Sequence, residues 1–289
     1  MVFMKNMVDE RFEVCALIFR FIPPCGFTET YTDYHRELNE RFNMFAEHPA
    51  IEYAKSLKIG YDAVSKFAVH MEKKDGKFLM IGDLQSLTDC GRWNEERIVT
   101  FIKLLNDFYK DTQYELFYKS NISFYEEETQ KFIEQELKKI NFGWFEKYLD
   151  IANVKCIHSP SLFNANYGAM VSNKYTYFIV PHNAAIVHEI CHSFANPIAS
   201  GLYNENVEFK KLCDDTAVIS KIPWYKQGVT FAYEYIARAY NILYDFQQGE
   251  KNIDKLYARE RDAEVENGFP YIRHVYKMVE QLENERRPK

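Results

Sequence analysis

The 289-residue sequence lacks any stretch of the roughly 18 uncharged apolar residues that a membrane-spanning helix needs. Its best early apolar run, residues 14–24, is broken by Arg20 and closes on Pro23-Pro24. No small-residue cleavage site follows it, so it makes a poor export signal. An excess of positive charge is missing too. The net charge is -6, so no nucleic-acid partner is expected, since such partners usually need a basic face. The cysteines lack a pattern. Cys15, Cys25, Cys90, Cys156, Cys191 and Cys213 are widely and irregularly spaced, and no pair has the two-residue gap of a zinc knuckle or redox motif. They read as buried free thiols, which points to a reducing compartment, the cytoplasm. Low-complexity linkers and internal repeats are absent as well.

What is present is ordinary globular material. Hydrophobic residues make up 47% and charged residues 27%. The 16% of aromatics suits a bulky core with tyrosine at its edges. Residues 1–145 read as a helical lobe. Helices are predicted over 13–21, 31–45, 61–71 and 94–109, with a further start at Pro49. A helix over 123–140 has Glu126, Glu127 and Glu128 in its first turn and Lys138-Lys139 in its last, as the helix dipole favours.

The texture changes near Asn141-Phe142-Gly143. Residues 154–157, 167–171 and 175–180 read as strands, and Ser172-Asn173-Lys174 could turn the second into the third. Pro181 ends that strand. Asn183 can cap a helix running to about Ala195, with Pro197 forcing its end.

That helix carries His188-Glu189-Ile190-Cys191-His192. Two histidines four apart share one helix face, so both imidazoles can reach one zinc ion. Zinc lowers the pKa of its bound water towards 7, and the adjacent Glu189 can take the proton and pass it to the leaving group. Chance would place the pattern in about one such chain in fifty. The predicted helix around it, with Val187, Cys191 and Phe194 on a separate apolar side, strengthens the reading. Without zinc, the pair would be plain core or surface histidines.

A catalytic zinc needs a third protein ligand and an open position. A histidine six residues past His192, with a glycine midway, would mark the metzincins. Those positions hold Ile198 and Ala195, which excludes them. The next histidine, His274, lies in a charged stretch resembling an exposed helix. Acidic candidates are Glu205, Glu208, Asp214, Asp215 and Glu234. The first two read as solvated, and the two aspartates are only slightly better placed. Glu234 stands alone in an apolar helix over 229–246, whose core stripe is Val229, Ala232, Ile236, Ala239, Leu243 and Phe246. A carboxylate there needs a partner. Arg238, four residues on, could be that partner, or could support Glu234 as a ligand.

The stretch from His188 to Pro197, followed by Glu234-Tyr-Ile-Ala-Arg238, resembles the gluzincin group of zinc peptidases. Within that group it is similar to a poorly characterised bacterial family of predicted metallopeptidases. That family has the same His-Ser-Phe-x-Asn-Pro tail and a later Glu with Arg four residues on. The likeness extends through His48-Pro49-Ala50 and Tyr61-Asp62-Ala63-Val64. The resemblance implies one zinc on His188, His192 and Glu234, with Glu189 as general base. It also implies an edge strand that pairs with an extended peptide, for which Tyr167-Gly168-Ala169-Met170 is the candidate. A plain sheet strand is the competing reading. Tyr225, Tyr233, Tyr240, His182 and Arg238 remain open as oxyanion donors.

The expected fold is therefore α+β and predominantly helical. A helical lobe spans 1–145, and a zincin-like lobe with a small mixed or antiparallel sheet spans 146–289. The expected function is zinc-dependent peptide hydrolysis on a peptide or protein substrate. The alternatives are a zinc-stabilised binding protein without catalysis, and a helical interaction protein with an accidental motif.

Overall fold

The computed structural model describes residues 7–22, 32–59, 61–88, 91–162, 168–172, 175–179, 185–223 and 225–286. The chain forms two compact units. The first comprises Met1–Ile140 and Ala152–Asn183, and the second Asn141–Ile151 and Ala184–Lys289. The described chain is predominantly helical, as expected, but it carries two small sheets where one was expected, and both lie in unit 1 rather than in the lobe expected over 146–289.

Unit 1 opens with α1 (Glu10–Arg20), capped by the Asp9 side chain and buried from Phe12 onward. Next come α2 (Asp33–Phe42) and α3 (Pro49–Leu57). His48 caps α3 through its side chain, and Pro49 fills the first turn, where its missing N–H costs nothing. After α4 (Tyr61–Val69) the chain forms a hairpin of β1 (Met71–Lys74) and β2 (Lys77–Met80). Only its first residue, Met71, falls within the helix predicted over 61–71, and the sequence reading did not anticipate the rest. Asp75 and Gly76 have φ of 50° and 75°. Such a pair of positive angles makes the tight turn that antiparallel strands need, and Asp-Gly is its usual sequence.

Beyond the hairpin lie α5 (Gln85–Thr88), α6 (Glu95–Asp111, capped by Asn94), α7 (Tyr114–Ser120) and α8 (Ile122–Gln135). The last ends earlier than predicted. The chain tightens into a 3-10 turn at Leu137–Lys139 that buries Leu137, so Lys138 and Lys139 lie outside the α-helix. The strands β3 (Val154–Ile157), β4 (Gly168–Ser172) and β5 (Tyr175–Ile179) follow the sequence reading closely. Their order is β3-β5-β4, with β3 parallel and β4 antiparallel to β5, a mixed sheet. Ser172 faces Tyr175 across the predicted hairpin. The loop residues Asn173 and Lys174 lie outside the described residues, as do Tyr167, Pro181 and Asn183. β4 is an edge strand of this sheet, and the sheet belongs to unit 1.

Unit 2 holds α9 (Phe142–Phe145), α10 (Ala185–Glu205), α11 (Val207–Ile219), α12 (Gly228–Gln248), α13 (Ile253–Arg261) and α14 (Ile272–Arg286). From Phe231 to Tyr244 every residue of α12 except Tyr233 is buried. The sequence shows one apolar stripe on this helix. The structure buries it nearly all round, because α10, α11, α13 and α14 pack against it. Phe194 of α10 stacks on Tyr148 with centroids 4.2 Å apart and meets Tyr240 edge-on at 5.0 Å. The hydroxyls of Tyr148 and Tyr240 both donate to Glu283 of α14, at 3.0 and 2.8 Å. These contacts fix the rotation of α10 against α12.

Pro197 does not end the motif helix, contrary to expectation. α10 runs through it to Glu205. A proline inside a helix deletes one N–H and crowds the carbonyl four residues back, here that of Ser193. Pro197 is exposed and Ser193 half-buried, so water can reach this side of the turn. Beyond it Ala199 is buried, and packing on α11 and α12 outweighs the local cost. Cys15, Cys156, Cys191 and Cys213 are buried free thiols, as predicted, while Cys25 and Cys90 lie outside the described residues. No described helix is long and apolar enough to cross a membrane.

Candidate metal centre

α10 and α12 each contribute to one cluster of donors. His188 and His192 lie one turn apart on α10, and Glu234 lies in the second turn of α12. The two Nε2 atoms are 3.0 Å apart. His188 Nε2 is 3.4 Å from Glu234 Oε2, and His192 Nε2 is 3.4 Å from Glu234 Oε1. Metal–donor bonds of about 2.0–2.1 Å in tetrahedral geometry place any two donors about 3.3 Å apart. The triangle therefore has the size that one ion requires, and the His-His-Glu group could hold a metal. Among the described residues it is the one such group.

Two of the three donors, His192 and Glu234, are held from behind, while His188 Nδ1 is buried without a hydrogen-bond partner among the described residues. His192 Nδ1 lies 2.9 Å from Asn196 Oδ1. Asn196 accepts that N–H, which leaves the Nε2 lone pair free to face the cluster. Glu234 is buried, and Arg238 Nη2 sits 3.0 Å from its Oε2. Arg238 is held in turn by Glu260 and Glu264, at 3.3 and 2.8 Å. Arg238 thus forms with Glu234 the ion pair that the four-residue spacing suggested.

Charge in the metal-free cluster follows from this packing. Burial alone would raise the Glu234 carboxyl, but His192 and His188 outweigh it and hold it well below the usual range. Burial opposes a charge on His192, yet Glu234, then Glu189 and Asn196, push it up to about 9. A ligating imidazole must be neutral. Below pH 9 the metal must therefore displace the His192 proton, and apparent affinity should rise about tenfold per pH unit from near neutral up to about pH 9. Chelator-competition titrations across that range read the slope. An affinity independent of pH would contradict the assignment of His192.

No protein-family model, curated protein or solved structure matches the chain.

Glu189 is 8% exposed, and its charge reaches His192. It is not part of the donor triangle. Cys191 is buried, which drives its thiol well above the ordinary range and leaves it a neutral packing group. The other acidic candidates lie elsewhere. Glu205 is exposed at the end of α10, and exposed Glu208 sits 3.6 Å from His274 of α14. Asp214 accepts from the Tyr203 hydroxyl at 2.6 Å and pairs with Lys210, and Asp215 pairs with Lys211. His274 is exposed on α14, whose other face buries Ile272, Val275, Tyr276 and Val279.

Of the oxyanion candidates, Tyr225 hydrogen-bonds Glu234. Burial first, then the charges of Glu234 and Glu264, keep its hydroxyl protonated well above the ordinary range. Tyr240 is committed to Glu283, Arg238 to three carboxylates, Tyr233 is half-buried, and His182 lies outside the described residues. The sequence reading missed Asn196, Glu260 and Glu264. Asn196 was findable, since it lies four residues past His192, the spacing that pairs the histidines themselves. Glu260 and Glu264 reach Arg238 only through tertiary packing.

Proposed function

We propose that the chain is a zinc-dependent metallopeptidase of gluzincin type, hydrolysing peptide bonds with Glu189 as general base. The observation that carries this reading is the convergence of His188, His192 and Glu234 at mutual distances of 3.0–3.4 Å. Two imidazoles and one carboxylate suit zinc and leave a fourth position open. Held there, zinc would act as a Lewis acid on the scissile carbonyl and make an attacking water acidic near neutral pH.

The chain's own groups do the rest. Glu189, next to His188 and outside the donor triangle, takes the proton of the attacking water and returns it to the departing amine. Asn196 keeps His192 in the ligating tautomer, and Arg238 keeps the Glu234 carboxylate oriented. Tyr225 is a protonated hydroxyl beside Glu234, and it would reach an oxyanion only by turning its one O–H away from that carboxylate.

The low exposure of the ligands equally suits a metal that only stabilises a binding protein. The test is cleavage of a peptide library. A metallopeptidase loses cleavage to a chelator and recovers it with zinc. A tightly bound zinc without any cleavage supports the non-catalytic reading.

A further inference from the structure

Arg238 carries one positive charge that three carboxylates share. Its side chain is 6% exposed, and the Phe269 ring, 4.2 Å from the guanidinium carbon, closes one face. Nη1 lies 3.3 Å from Glu260 Oε2. A single nitrogen, Nη2, serves both Glu234 Oε2 at 3.0 Å and Glu264 Oε1 at 2.8 Å. The Glu234 oxygen that it touches is the one facing His188 Nε2 at 3.4 Å.

These three contacts compete. A guanidinium resting wholly on Glu234 Oε2 would draw charge from a metal ligand and repel a dication beside it. Glu260 cannot answer freely, because Asn241 and Arg259 hold its other oxygen at 2.9 and 2.7 Å. Glu264 differs. It is 26% exposed, lies past the end of α13, and has Arg238 as its one ion-pair partner among the described residues.

We propose that Glu264 is a positioning residue of the metal centre. It draws the Arg238 guanidinium away from Glu234, leaves Glu234 Oε2 anionic enough to ligate, and so sets metal affinity. This rests on the metal-centre reading and adds a residue that touches no ligand directly. Outer carboxylates of this kind commonly alter metal affinity about 10- to 100-fold.

The test is a double-mutant cycle read as zinc affinity by chelator competition, with Glu264→Gln, Arg238→Gln and the double variant. Gln fills the space of Glu without its charge. Glu264→Gln should weaken zinc about tenfold, while its melting temperature in excess chelator stays near wild type. In the Arg238→Gln background the same change should have no effect, because the relay is gone. An unchanged affinity in the single variant overturns the inference, and so does an equal loss with and without Arg238. Should Arg238→Gln fail to fold, salt decides. A loss relayed through the buried guanidinium persists at about 1 M salt, where the screening length is about 3 Å. A loss that salt abolishes is a through-solvent effect and overturns the relay. Wild-type protein that binds no zinc removes the metal centre itself, an outcome distinct from wild-type binding that Glu264→Gln leaves untouched.

Discussion

Glu189→Gln retains its metal and loses turnover by about 10²–10⁴-fold, the usual contribution of a general base. Gln keeps the size and shape of Glu, so the buried position tolerates it. The group that could hold the metal is His188, His192 and Glu234, so replacing Glu189 removes none of its donors. What goes is the ability to accept a proton. The comparison is kcat on a peptide taken from the library, with metal content measured on the same samples. A Glu189→Gln protein of full activity would mean that another group activates water.

Glu234→Ala strips the metal and the stability that the metal supplies. Zinc sites release about 10–16 kcal/mol on binding, or roughly 2.5–4 kcal/mol for each of four ligands. Removing one ligand should therefore weaken binding about 10²–10³-fold. Arg238 is not orphaned by the change, since Glu260 and Glu264 still pair with it, so the buried cation does not confuse the result. A metal present at a thousand times its Kd stabilises the folded chain by about 4 kcal/mol. Chelation should thus lower the wild-type melting temperature by roughly 10 °C and leave the variant unmoved. Asp214→Ala and Asp215→Ala should behave as wild type, since Lys210 and Lys211 hold these residues away from the donor cluster. Loss of zinc from either would reassign the third ligand.

Much of this centre could be read from local spacing. The four-residue step of His188 and His192 needs only a helix, and α10 supplies it. Glu234 was legible because a lone carboxylate in an apolar helix needs a partner, and α12 is buried around it. The cap at His48 and Pro49 and the bounds of β3 follow from residue chemistry within a few positions. The misses have separate causes. Pro197 sits inside α10 because packing with α11 and α12 outweighs a local penalty that the sequence shows without its compensation. The β1–β2 hairpin turns on Asp75-Gly76, but its strands are too short and charged to alternate clearly. Glu260 and Glu264 meet Arg238 from 22 and 26 residues away, a distance at which spacing carries no signal.

The most direct measurement is elemental mass spectrometry of protein purified without chelator, on wild type, His192→Ala and Glu234→Ala together. A metal centre built on this donor triangle predicts about one zinc per wild-type chain and none in either variant. No zinc in the wild type, even after zinc is added back, would contradict the metal centre and leave the helical motif an accident of composition.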